Sequence, residues 1–145
     1  MYSLKVKISF RAGHRLLPPY QGKCNNVHGE YFTGVFFLGA QRLDNNGMVL
    51  DFGEVKKKLK NWIDKNLDHA YIHHEDDEVA QTLLYLKLKT FSMGKKNPTS
   101  ENIAKLLFDK ANELLGYNRV RILEVGVVES SESSVAYYRP LIREE

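Results

Sequence analysis

Tyr2-Ser-Leu-Lys-Val-Lys-Ile-Ser-Phe10 sets the fold class. Tyr2, Leu4, Val6, Ile8 and Phe10 take the even positions, and Ser3, Lys5, Lys7 and Ser9 the odd ones. A period of two sends successive side chains to opposite sides, so the stretch is a strand with one buried and one wet face. Outward from it, a loop with Pro18, Pro19 and Gly22 leads to a second strand. That strand starts near Val27 and runs through Tyr31-Phe-Thr-Gly-Val-Phe-Phe-Leu38, rich in aromatic and β-branched residues. Asp44-Asn-Asn-Gly47 is a turn, because Asn46-Gly47 readily supplies positive φ. Met48 to Phe52 either ends a meander or leads into a helix.

The period then changes. From Glu54 to about Leu67, Val55, Leu59, Trp62 and Ile63 recur at helical spacing with lysines and Asp64 opposite. A second amphipathic helix spans Glu101 to Leu115, with Ile103, Leu106, Leu107, Ala111, Leu114 and Leu115 on its stripe. Pro98-Thr99 before it and Gly116 after it are start and stop signals. Glu78 to Phe91, between the helices, reads as a short helix or as an edge strand. Arg119 to Val128 and Ser133 to Ile142 are closing strands, and the parity slip between Val120/Ile122 and Val125/Val127 predicts a bulge. The order ββ-α-α-ββ makes residues 1–145 a single α+β domain, a four-stranded antiparallel sheet with two helices packed on one face. Such a sheet has two open edges, which oligomerisation would cover.

Composition narrows the function. A chain of 145 residues, 43% hydrophobic and 27% charged, can build one core without staples. Twenty-one basic against 18 acidic residues leave +3, too little to argue for nucleic acid or a membrane surface but compatible with a small anionic ligand. Lys56, Lys57, Lys58 and Lys60 have no aromatic platform among them and read as a solvated helix face. The single Cys24 excludes an intrachain disulfide framework and a multi-cysteine zinc ribbon. The alternating start is unlike a signal peptide, and no apolar run approaches the roughly 18 residues of a membrane span. A cytoplasmic location with one reduced thiol is the expectation.

Several residues can carry chemistry. His28 and Glu30, two apart on a strand, point to one face, and His14 follows the first strand. Two imidazoles and a carboxylate with an open fourth position make a catalytic zinc set, although the same spacing also fits an ordinary polar strand face. Cys24 is either a thiolate base, favoured by nearby cations, or a small buried hydrophobe. Asp68-His69 is either a general acid–base unit or a helix C-terminal pair placed by the dipole. Glu129 at a strand end can accept two hydrogen bonds from an amino-amidine edge, or simply border a hairpin. Asp51 is a substrate contact or an N-cap, and Pro98-Thr-Ser-Glu101 a helix start whose N–H groups suit an anionic ligand. His73 and His74, beside Glu75-Asp76-Asp77, read as a solvated loop.

The order of these segments resembles a known family. Phe10-Arg-Ala-Gly-His14-Arg-Leu is similar to the F-x-A-A-H-R-L opening of the 6-pyruvoyltetrahydropterin synthase / 6-carboxytetrahydropterin synthase family. Cys24-Asn-Asn-Val-His28-Gly29-Glu30 resembles its C-x-x-x-H-G-H segment. Gly47 to Phe52, Leu67-Asp68-His69, Asn97 to Asn102 and Val128 to Tyr137 follow in family order.

The resemblance implies the tunnelling fold, with sheets closing into a barrel on assembly as trimers or hexamers and active sites at subunit interfaces. It implies Zn2+ on His14 and His28, Cys24 as proton-abstracting thiolate, Asp68 with His69 as relay, and Glu129 on a pterin ring with Thr99 and Ser100 near it. The implied reaction is that of a lyase on 7,8-dihydroneopterin triphosphate. The Cys24-to-His28 spacing is more like the 6-carboxytetrahydropterin synthases of the 7-deazaguanine (queuosine or archaeosine) pathway than the 6-pyruvoyl enzymes. Glu30 departs from the pattern by standing where the family has a third zinc histidine. It can ligate zinc in its place, or mark a pterin- or purine-binding protein with impaired catalysis. Lys23, Arg15, Lys95 and Lys96 are candidates for the triphosphate.

Overall fold

The computed structural model describes residues 1–116, 118–130 and 134–141. Strand β1 (Tyr2–His14) pairs antiparallel with β2 (His28–Ala40) along its whole length, from Tyr2 opposite Ala40 to His14 opposite His28. On the far side of β2 lies β5 (Arg121–Glu129), followed by β6 (Val135–Tyr138), also antiparallel. These four are the expected sheet. The predicted ends of the last strand, Ser133 and Ile142, lie outside the described residues.

Two further strands make the sheet six-stranded and mixed, in the order β4-β3-β1-β2-β5-β6. Both β3 (Tyr71–His73) and β4 (Thr90–Ser92) run parallel to their neighbours, β3 against Gly13 and His14 of β1. Three residues show no readable period, so these strands leave no trace in the sequence pattern. Glu78 to Phe91 turns out to hold both alternatives, a short helix α2 (Glu78–Tyr85) and the start of β4. Among the described residues the α-helices therefore number three rather than two.

The two long helices end where their caps place them. In α1 (Phe52–Asn66) the Asp51 carboxylate accepts from Glu54 N, and in α3 (Ser100–Leu115) the Thr99 hydroxyl accepts from Asn102 N. Met48 to Asp51 is thus the lead into α1, after a turn in which Asp44 Oδ1 accepts from the N–H groups of Asn46 and Met48 and Gly47 sits at φ 79°. Val55, Leu59 and Ile63 of α1, and Ile103, Ala104, Leu107, Ala111 and Leu115 of α3, are buried against one face of the sheet. That face carries Val6, Ile8 and Phe10 of β1, Phe32, Phe36 and Leu38 of β2, and Val125 and Val127 of β5. Each large side chain so buried contributes about 1.5–3 kcal/mol. A Cβ at Gly34 would come within 2.9 Å of the Phe36 ring and 3.2 Å of Leu107 Cδ1, so glycine there lets α3 approach the sheet. Between β2 and β5 the register shifts at Phe37/Leu38, leaving Leu123 unmatched; this is the bulge read from the parity slip. No helix among the described residues is long and apolar enough to cross a membrane.

Candidate metal centre

The even positions of β1 and β2 that build the core continue past it. Beyond Phe10 and Phe32, whose rings stack with centroids 5.2 Å apart, the same face of the sheet carries His14, His28 and Glu30. Glu129, opposite Phe32, shares this face at the end of β5. Alternation alone therefore collects these four polar side chains at one end of the sheet, on the helix side.

The two imidazoles are locked in matching ways. His14 Nδ1 lies 2.8 Å from the Pro98 carbonyl oxygen, and His28 Nδ1 2.7 Å from that of Asn26. A carbonyl only accepts, so each Nδ1 carries the proton and each Nε2 presents a lone pair. Both Nε2 atoms are buried and unbonded, a costly condition unless something electrophilic meets them. Glu30 Oε1 stands 3.4 Å from His28 Nε2, and ligand atoms of His14, His28 and Glu30 all lie within 4.8 Å of one another. Tetrahedral zinc with bonds of roughly 2.0–2.1 Å sets its ligands about 3.3 Å apart, so a group spread over up to 4.8 Å holds such an ion by drawing its side chains inward. Burial, the largest influence, holds the His14 imidazole below its usual pKa, against the Pro98 carbonyl and Glu129, so its lone pair stays available.

Segment 97–102 explains how Pro98 reaches His14. Asn97 exchanges two amide hydrogen bonds with Leu17, donating to its O at 3.2 Å and accepting from its N at 2.9 Å, while Asn102 Nδ2 donates to Asn97 O at 2.9 Å. The start of α3 is thereby clamped beneath the loop after β1. Thr99, expected near a pterin, has its hydroxyl occupied as the α3 cap, and Asp51 likewise caps α1. Ser100 opens α3 in the same clamped segment.

Cys24 lies in a single 3-10 turn, Lys23–Asn25, and is half-buried. The turn is tied to the chain just past His14: Leu16 N donates to Cys24 O at 2.8 Å and Asn25 Nδ2 to Leu16 O at 2.9 Å. Tyr20, which the sequence did not single out, lies close enough to Cys24 for the thiol to hold its phenol above the usual pKa. Asp68 and His69 do form a pair, with Nδ1 and Oδ2 2.8 Å apart. His69 adopts φ 59°, the left-handed turn that lets adjacent side chains meet. Burial pushes the Asp68 carboxyl up, but the Arg11 N–H, His69 and Lys89 together hold it below the usual range. The His69 side chain is 76% exposed, so within one chain the pair faces solvent.

One expectation needs correction. His73 is not in a solvated loop: it is buried in β3, stacked on Tyr71 with centroids 6.1 Å apart, because β3 is enclosed between β1 and β4. Arg15, offered as a triphosphate contact, is committed to buried Asp77 through Nε at 3.0 Å and a terminal nitrogen at 2.9 Å. Tyr71 donates to the other Asp77 oxygen at 2.7 Å. A cavity of about 800 Å³ lies at the other end of the sheet among Met1, Arg42, Arg119, Arg121, Arg139 and Leu141, and holds none of the candidate site residues.

Residues 3–140 match the family described as 6-pyruvoyl tetrahydropterin synthase. A 6-carboxy-5,6,7,8-tetrahydropterin synthase from Rickettsia conorii is 40% identical over 99 residues, covering 68% of this chain and 71% of that one. A protein of the same name from Synechocystis is 31% identical over 146 residues, with 97% and 95% covered. The structure of the 6-pyruvoyl tetrahydropterin synthase of Caenorhabditis elegans aligns over 97% of this chain and 96% of its own, with a TM-score of 0.69 at 23% identity. That likeness establishes the tunnelling fold. A match over almost the whole sequence, on a sheet whose two histidines hold free lone pairs side by side, places this chain in the 6-pyruvoyl tetrahydropterin synthase family.

Proposed function

We propose that this chain is a zinc-dependent lyase of the 6-carboxytetrahydropterin type. It converts 7,8-dihydroneopterin triphosphate and one water into 6-carboxytetrahydropterin, acetaldehyde and triphosphate. The observation that carries the reading is the pair of buried, unbonded Nε2 atoms on His14 and His28 with the Glu30 carboxylate beside them. The names of its relatives in Rickettsia and Synechocystis supply the product.

His14, His28 and Glu30 would hold the cation. Bound there, zinc supplies a Lewis acid that polarises the hydroxyls of the substrate side chain. Cys24 would take a proton from the substrate side-chain carbon and the Asp68–His69 pair would return one, with Asp68 orienting the ring through Nδ1. The reduced ring and the oxidised side chain balance each other, so no redox cofactor is needed. Glu129 accepts two parallel hydrogen bonds from the amino-amidine edge of the pterin, which fixes the ring at the strand end. Ser100 offers the substrate its N–H at the start of α3 in this reading, and Thr99 and Asp51, whose side chains cap α3 and α1, are further substrate-side residues on the family resemblance alone. The exposure of His69 fits a site completed at a subunit boundary, in a homo-oligomer located in the cytoplasm and serving 7-deazaguanine synthesis.

Incubating the purified protein with zinc and 7,8-dihydroneopterin triphosphate, and identifying products by mass, is the test. Acetaldehyde with 6-carboxytetrahydropterin is the expected result. A 6-pyruvoyl product would move the chain to the other branch of its family, and pterin binding without turnover would make it a binding protein.

Glu30 adds a negative charge where three neutral imidazoles would leave zinc a stronger Lewis acid. Glu30→His is expected to tighten zinc binding, measured by competition with a chelator. Unchanged affinity would mean that Glu30 does not meet the metal.

A further inference from the structure

The Glu30 carboxylate is held from a side that the metal reading does not use. Ser130, the residue after β5, donates its hydroxyl hydrogen to Glu30 Oε2. Its own oxygen accepts from Tyr31 N at 3.0 Å, and its N–H donates to Tyr31 O at 2.8 Å. These contacts leave the hydroxyl no freedom. It has one proton, and because a backbone N–H already points at its oxygen, that proton can go only to the carboxylate. With Oε2 so occupied, Oε1 remains as the oxygen facing His28 Nε2, at 3.4 Å.

We infer that Ser130 is a positioning residue that fixes which oxygen of Glu30 a cation meets. The inference rests on reading His14, His28 and Glu30 as a metal centre, and it concerns the carboxylate that sets this chain apart from a three-histidine set. An unrestrained glutamate can offer either oxygen or both and must lose rotamer freedom when it binds a metal. A carboxylate already hydrogen-bonded through one oxygen is pre-ordered for one-point ligation. The position makes the arrangement possible. Ser130 sits at φ 44°, turning the chain so that hydroxyl and N–H both reach back to β2. It also directly follows Glu129, so the same turn that presents the proposed pterin anchor steadies the proposed metal ligand.

The test uses Zn2+ alone, titrated into the full chain against a chelating dye. Ser130→Ala is expected to weaken zinc binding about 10- to 100-fold, the usual range for loss of an outer hydrogen bond to a ligand. Ser130→Gly, which the left-handed backbone accepts without strain, is expected to weaken it equally. In a Glu30→His background the same serine substitutions should change affinity less than about twofold, since no carboxylate remains to be oriented. Wild-type affinity in Ser130→Ala, or an equal loss in both backgrounds, overturns the inference while leaving the metal centre in place. Zinc binding that is absent, or indifferent to His14→Ala, overturns the metal centre itself and the inference with it.

Discussion

Cys24→Ala is expected to lower turnover of 7,8-dihydroneopterin triphosphate by about 100- to 10,000-fold, the range lost with a general acid or base. Zinc and pterin binding should stay close to wild type. The division follows from where the sulfur sits. The ligand cluster comprises His14, His28 and Glu30 without Cys24, so removing the thiol takes nothing from the set that would hold a cation. Nor is the Lys23–Asn25 turn built on the side chain: it is fastened by the Cys24 carbonyl and the Asn25 amide to Leu16. Alanine keeps that carbonyl, and the turn should keep its place beside the loop after His14. Steady-state kinetics with zinc content measured on the same samples checks both halves. Wild-type turnover would take Cys24 out of the mechanism. A parallel loss of zinc would show that the sulfur is a ligand instead.

Legibility in the sequence tracked how local each determinant is. Alternation over Tyr2 to Phe10 is a property of nine consecutive side chains, and β1 carries it on to Ala12 and His14 unchanged. The stripes of α1 and α3 are equally local, and Asp51 and Thr99 cap within three residues of themselves. His28 and Glu30 share a face by the same rule. What escaped was decided by partners far along the chain. Three-residue β3 exists because Gly13 and His14 accept it as a parallel neighbour, and that pairing turns His73 from a presumed solvated residue into a buried one. The lock on His14 comes from a carbonyl 84 residues away, and Ser130 reaches Glu30 across 100. Tyr20 is a different case. It lies only four residues from Cys24, and a tyrosine beside a cysteine in a proline-turned loop was a signal available to the sequence.

Asp77→Ala is expected to destabilise the fold by about 3 kcal/mol, near the low end for breaking a buried ion pair by removing one partner. For a chain of this size that lowers the melting temperature by about 6–12 °C. Asp77 is 0% exposed and joins three elements. One oxygen accepts from Arg15 after β1 and from Val79 N at the start of α2, and the other from Tyr71 of β3. The Arg15 side chain, 22% exposed, can recover some water, which keeps the loss from the top of the range. The pH dependence has a definite sign. Burial pushes the Asp77 carboxyl up, yet Arg15, Tyr71 and the Val79 N–H together hold it below its usual value. A carboxylate depressed on folding gives stability that is complete above its unfolded pKa of about 3.9 and is lost as pH falls through the folded one. Thermal melts should therefore show a constant gap between wild type and variant from about pH 5 to 8, narrowing below about pH 4. Because Arg15 adjoins His14 and Tyr71 lies opposite Gly13, the loosened end of β1 should also bind zinc more weakly. A gap that persisted undiminished in acid would assign the loss to packing around α2 and not to the charge on Asp77.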